Sequence, residues 1–209
     1  GTSFFVEKYD KKSLSQVFSQ EISLEDGDTK TKIEDVLFSQ GNVYVFRRQY
    51  DKAGGKMTLY YQTISSAGKV STKLAPIVVV VADHFEYVDF DIYMTPDNSK
   101  FLVKSCHKPD KNTDYTTDFI LLDVAGGMST KWTKTVKQRL MNNNNLQNVM
   151  NILGLGSFVK QDMSFVGLDV DDAENVFFCY LDENKNSSEK EKRYRFHMST
   201  IKAGETTAK

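Results

Sequence analysis

The chain has 209 residues, of which 40% are hydrophobic and 12% aromatic, so it can bury a core and is not intrinsically disordered. Its 27 basic and 28 acidic residues nearly cancel, which leaves no field to attract nucleic acid or an anionic membrane. The longest apolar run, Ala75 to Ala82, is far shorter than the roughly 20 residues that span a bilayer. We therefore expect a globular protein with no nucleic-acid partner and no membrane-spanning segment.

Hairpins of two kinds alternate along the chain. Each combines apolar residues at period two with a turn rich in Gly, Asn, Asp or Pro, which is typical of consecutive antiparallel strands. In chain order, hairpins are predicted at residues 4–18, 36–46, 59–69, 90–103, 119–132, 166–178 and 194–205. Hairpins of the first kind have their turns at Gly41, Asn98 and Asn175, and each is followed along the chain by a hairpin of the second kind. One further hairpin of the second kind, at residues 4–18, precedes them all. Residues 87–136 unite both kinds in a four-stranded meander.

Repeated units of two hairpins predict a repeat architecture. Two polar insertions, residues 104–117 and 138–161, lengthen the spacing between units. Without these insertions, each unit approaches the roughly 40 to 50 residues of a propeller blade.

The units resemble β-propeller repeats of a broad bacterial class, in which a Tyr/Leu-Asp strand is followed by a turn and an aromatic strand. The resemblance rests on residues Lys8-Tyr9-Asp10 to Phe18, Thr95 to Lys100, Leu121-Leu122-Asp123 to Trp132, and Asp169 to Val176. The Gly-His and Trp-Asp dipeptides of WD repeats are absent, and the paired glycines of kelch repeats do not recur in each unit. The resemblance implies an all-β, β-propeller-like array of four-stranded antiparallel blades.

One β domain over residues 1–209 is expected, with about three and a half blades. The expected parts are a half blade at 4–22, blades at 33–73, 77–136 and 163–209, and an inserted loop and helix at 138–161. Closed propellers have at least four blades, so we expect part of a longer propeller or a ring completed by another chain. A missed divergent hairpin, or closure by residues 137–161, is the alternative.

The only helix is predicted inside the second insertion. Apolar residues spaced i, i+3, i+4 and i+7 lie on one face of this short helix, which ends at Gly154. The helix either folds onto the sheets or offers its apolar face to a partner. The predicted binding residues are these four and two aromatic residues that could form a platform for a sugar or peptide, or simply pack between blades: Leu146, Val149, Met150, Leu153, Tyr60 and Trp132.

Titratable groups are densest around His84, Glu86 and Asp89. His84 and Glu86 could share a strand face as an acid/base pair, although no nucleophile motif accompanies them and a structural role is the competing interpretation. The acidic run at 169–175 lacks the Gly and Glu that a calcium loop requires. Cys106 and Cys179 lack metal-ligand spacing, and we expect both to be unpaired. No metal and no cofactor is predicted.

The predicted function is a non-catalytic ligand-binding or protein-assembly module, because propeller-like scaffolds present variable loops on one face. A protein partner or an oligomer is expected, and a glycan is the alternative ligand. The alternative is a polysaccharide-active hydrolase or lyase whose site comprises His84, Glu86 and Asp89. The cysteines do not define the compartment, and a secreted, periplasmic or cell-surface location is favoured.

Overall fold

The computed structural model describes residues 3–26, 29–51, 53–81, 88–107, 115–138, 165–183 and 194–204. All regular structure within them is β, which confirms the predicted all-β class. The strands are β1 (Ser3–Tyr9), β2 (Gln16–Ser23), β3 (Glu25–Asp26), β4 (Thr29–Ser39), β5 (Asn42–Asp51), β6 (Lys56–Ile64), β7 (Ala75–Val81), β8 (Asp89–Met94), β9 (Lys100–His107), β10 (Tyr115–Asp123), β11 (Ser129–Gln138), β12 (Phe165–Val170), β13 (Val176–Glu183) and β14 (Tyr194–Ile201). The helix predicted at 146–153 lies outside the described residues, and the described part of the chain holds no helix long and apolar enough to cross a membrane.

The strands form four antiparallel sheets in chain order. Sheet I contains β1 and β2, sheet II β3 to β7, sheet III β8 to β11, and sheet IV β12 to β14. Each strand pairs with its neighbours in sequence, so sheet III confirms the meander predicted over 87–136 within the described residues. Strand β7 pairs with β6, so sheet II extends through Val81, beyond the blade boundary expected between residues 73 and 77.

Local turn chemistry explains the hairpins of the first kind. In the β4–β5 turn, Gln40 and Gly41 both have positive φ, 49° and 80°, which is the backbone of a two-residue type I′ turn. This turn matches the right-handed twist of the flanking strands and pairs Ser39 with Asn42. The turns predicted near Gly41, Asn98 and Asn175 are each confirmed by the pairing of the strands on either side.

Alternate side chains of β5 face opposite neighbours. Val43 and Val45 belong to the buried cluster between sheets I and II, whereas Tyr44 and Phe46 belong to the cluster between sheets II and III. Successive residues of a strand point to opposite faces, so sheet II is covered on both sides. This double coverage explains why β5 reads as a continuous apolar run.

Strand β9 repeats this arrangement one sheet further along. Phe101 and Val103 pack toward sheet II, and Leu102 and Cys106 pack toward sheet IV. The four sheets therefore stack in chain order, with one buried cluster at each of three successive interfaces. Strands at or near the start of sheets II, III and IV lie together, because β8 is close to both β4 and β12.

Candidate assembly surfaces

Asp89 neutralises a buried lysine. Lys104 is 3% exposed, its Nζ lies 3.4 Å from Asp89 Oδ2, and it also donates a hydrogen bond to Asp91. Burial lowers the pKa of Lys104, but the carboxylates of Asp91 and Asp89 outweigh that effect and raise it above the usual value. The lysine is therefore charged, and Asp89 has a structural role in sheet III.

The remaining residues of two predicted sites lie outside the described residues. For the catalytic alternative these are His84 and Glu86, and for the predicted apolar helix face they are Leu146, Val149, Met150 and Leu153. Within the described ranges, no group of three or more His, Cys, Asp and Glu side chains is placed to hold a metal ion. Neither Cys106 nor Cys179 forms a disulfide bond, as expected.

Tyr60 and Trp132 lie on opposite sides of sheet III. Tyr60 is half-buried in β6 of sheet II, where it lines a surface depression with Tyr50 and Val79. Trp132, in β11, packs against the buried cluster between sheets III and IV. Its indole Nε1 is buried and has no hydrogen-bond partner in the described structure. The two rings thus belong to separate surfaces and do not form one platform.

The sheet IV outer face carries several exposed apolar side chains beside the exposed Asp169, which pairs with Phe177 across the strands. We use this name for Phe177, Cys179, Phe196 and Met198. Phe177, Phe196 and Met198 are 46%, 55% and 77% exposed, and Met198 pairs across the strands with half-buried Cys179. Phe178, between Phe177 and Cys179, points the other way and packs 5.2 Å from Phe119 of sheet III, measured between ring centroids. Large side chains therefore cover both sides of sheet IV, but among the described residues only one of its sides faces another sheet.

The sheet I outer face carries aromatic rings near the hydrogen-bonded carboxylate of Glu7. We use this name for Phe5, Glu7, Tyr9 and Val17, of which Phe5 is 63% exposed. The Glu7 carboxylate accepts hydrogen bonds from the Tyr9 hydroxyl and from the side chains of Gln16 and Ser19. Because these groups satisfy the Glu7 oxygens, covering Glu7 with another protein would not leave its carboxylate unbonded, although the exposed Glu21 pairs with Phe5 on the same face. The opposite side of sheet I packs on sheet II.

A cleft opens between sheet I and the β4–β5 turn. Its volume is about 400 Å³, and its lining includes Val6 and Phe18 from sheet I and Phe38 and Val43 from sheet II. Lys8 crosses one side and donates a hydrogen bond of 3.0 Å to the Ser66 carbonyl. Sheet I has two strands, whereas sheet II has five and sheet III has four.

Comparison of the sequence with protein-family models and with curated proteins finds no match. The family resemblance in the repeat pattern therefore stays a prediction. Any functional statement about this chain has to come from its own surfaces.

Neither outer face was among the predicted binding residues. The available signal was the unbroken apolar run Val176-Phe177-Phe178, because a strand with only one covered face alternates between apolar and polar residues. In β5 and β9, such a run marks burial on both faces. In β13, the same kind of run lies in a sheet with one exposed face.

Proposed function

We propose that this chain is a non-catalytic protein-assembly module, built on a propeller-like scaffold, that associates through the ends of its sheet stack. The observation that carries this proposal is the sheet IV outer face, where Phe177, Phe196 and Met198 are exposed together. Contiguous exposed apolar residues of this size mark protein interaction sites on soluble proteins. The sheets inside the stack bury the equivalent side chains against a neighbour.

The order of the sheets supports the propeller-like part of the proposal. Propeller blades are antiparallel sheets arranged one after another around a central channel. Sheets II to IV follow one another in this way, and β8 lies close to β4 and β12. On this proposal, sheet I is the half blade of residues 4–22 and sheet IV belongs to the blade of residues 163–209.

The chemistry of the partner follows from the surfaces. An exposed face of apolar side chains can bury a large area against another sheet face, whereas a small polar ligand would cover little of it. The separation of Tyr60 from Trp132 removes a shared aromatic platform for a glycan. The polysaccharide-active alternative gains no support from Asp89, whose carboxylate neutralises Lys104.

Hydrogen–deuterium exchange at low and high protein concentration tests the proposal. Association through the stack ends should slow exchange in β1, β13 and β14 as concentration rises. Met198→Lys should abolish this protection, whereas Val79→Lys, at another exposed apolar residue but in sheet II, should not. Protection that is independent of concentration at both ends of the stack would contradict the proposal.

A further inference from the structure

We propose that the occupant of the sheet IV outer face is the sheet I outer face of a second copy of this chain. This inference rests on the proposed assembly function and adds the partner and its orientation. Phe177 and Met198 of one copy would pack on Phe5 and Val17 of the next. The contact is head-to-tail, because a different surface is used on each copy.

The orientation follows from which side of each sheet faces its neighbour at the internal interfaces. Each internal sheet has one side that faces the preceding sheet and another that faces the following sheet. At the interface of sheets II and III, Phe46 from the following side of sheet II meets Phe101 from the preceding side of sheet III, with ring centroids 5.4 Å apart. The planes of these two rings are nearly perpendicular, at 88°.

At the interface of sheets III and IV, a following side again meets a preceding side. Phe119, on the following side of sheet III, meets Phe178, on the preceding side of sheet IV. By alternation along β13, Phe177 lies on the following side of sheet IV. By the same alternation along β1, Phe4 and Val6 face sheet II, so Phe5 lies on the preceding side of sheet I.

Between two copies, only the packing of sheet IV on sheet I joins a following side to a preceding side. Packing sheet IV on sheet IV would join two following sides, and packing sheet I on sheet I would join two preceding sides. None of the three interfaces formed by the described residues has either arrangement. The head-to-tail contact continues the existing stack with the same kind of aromatic and aliphatic packing.

The side chains at the contact suit this role. Cys179 and Met198 are adjacent on the sheet IV outer face, and their polarizable sulfurs pack well against aromatic rings such as Phe5 and Tyr9. Glu7 enters the contact with its carboxylate oxygens already bonded to Tyr9, Gln16 and Ser19. A head-to-tail contact either closes into a ring or extends into a filament. The described residues of each copy form three larger sheets and the half blade of sheet I, so a closed ring of two copies would have about seven blades, within the roughly four to eight of closed propellers.

Mixed cysteine cross-linking tests the orientation. One variant carries Phe5→Cys and the other Phe177→Cys, both with Cys179→Ser, and Cys106 stays buried in both. A short bis-maleimide should produce a two-chain product when the variants are mixed, at least tenfold more than in either variant alone. Replacing Phe5→Cys by Val79→Cys in the mixture should remove that product.

A charge pair gives a second readout that does not depend on thiol geometry. Phe5→Lys and Met198→Glu should each fail to self-associate, and an equimolar mixture should recover two-chain species. Cross-links or recovery within a single variant would overturn the head-to-tail arrangement. Association without mixed cross-links or charge rescue would also overturn it but leave the assembly function standing, whereas loss of all association in the unmodified chain would remove both.

Discussion

The amide nitrogen of Asp97 lies 2.8 Å from the Asp172 carboxylate and donates a hydrogen bond to it. This bond joins the turn between β8 and β9 to the turn between β12 and β13, in two successive sheets. The preceding pair of sheets is joined in the same region, because the Ser39 hydroxyl donates to the Asn98 carbonyl. Hydrogen bonds between the β4–β5, β8–β9 and β12–β13 turns therefore tie sheets II, III and IV together at one end of their strands.

Removing the Asp172 carboxylate should loosen sheet IV from sheet III. We expect Asp172→Ala to lower the free energy of unfolding by about 0.5 to 1.5 kcal/mol, which is the net worth of one hydrogen bond at a partly solvated site. Urea denaturation followed by fluorescence measures this change. Glu25→Ala, at an exposed carboxylate of sheet II, serves as the control and should change the free energy of unfolding by less than about 0.5 kcal/mol.

Asp97 should make stability depend on pH in the acid range. The carboxylate accepts hydrogen bonds from the Ser99 and Thr95 side chains and from the Ser99 amide, which hold its pKa well below its usual range. A lowered pKa in the folded state contributes stability above the unfolded pKa, and this contribution is lost as pH falls through the folded value. The gap in unfolding free energy between the wild type and Asp97→Asn should narrow as pH falls from about 5 to about 2. A gap that stays constant over this range would show that the carboxylate is not the responsible group.

The Lys104 cluster should respond differently to loss of its cation and of its carboxylates. Asp89→Asn with Asp91→Asn removes both carboxylates that neutralise the buried Lys104 ammonium, and we expect the free energy of unfolding to fall by about 3 kcal/mol. Lys104→Met leaves two carboxylates that are partly exposed to water, so the loss should be nearer 1 kcal/mol. Thermal and urea unfolding of both variants measures the order. Greater damage from Lys104→Met would contradict this account.

Gly68 should be intolerant of alanine because of Phe18. A Cβ at Gly68 would lie 2.8 Å from Phe18 Cγ, so the ring that packs sheet I on sheet II would have to move. Gly204 has the same φ of 83°, but a Cβ there would meet nothing within 4 Å. Both alanine variants incur the strain of a left-handed backbone, about 1 to 2 kcal/mol. Gly68→Ala should lose about 1 to 3 kcal/mol more in unfolding free energy, and equal losses would show that Phe18 accommodates the methyl group.

The hairpins were predictable because their signals are local. Gly41, Asn98 and Asn175 each mark a turn between two short apolar strands, and no long-range information is needed to pair such strands. The partner of β7 was not predictable in this way, because the run Ile77 to Val81 carries no alternation that selects a neighbouring strand.

Whether a strand face is a candidate surface depends on whether another sheet covers it. The sequence pattern of the strand does not give this information. Val43 to Phe46 and Val176 to Phe178 are both continuous apolar runs, yet the first is covered on both faces and the second on one. Asp89 was grouped with His84 by proximity in sequence, whereas in the sheet its carboxylate reaches Lys104, the residue that pairs with Asp91. Stacking of sheets and pairing across strands are tertiary facts, and they decide the role of each residue.

Sedimentation equilibrium of the unmodified chain over a wide concentration range tests the central claim most directly. The account predicts an average mass that rises above the 23.8 kDa of one chain as concentration increases. Met198→Lys should hold the mass close to that of one chain over the same range, while leaving the unfolding free energy within about 0.5 kcal/mol of the wild type. A mass of 23.8 kDa at every concentration of the unmodified chain would contradict assembly through the ends of the stack.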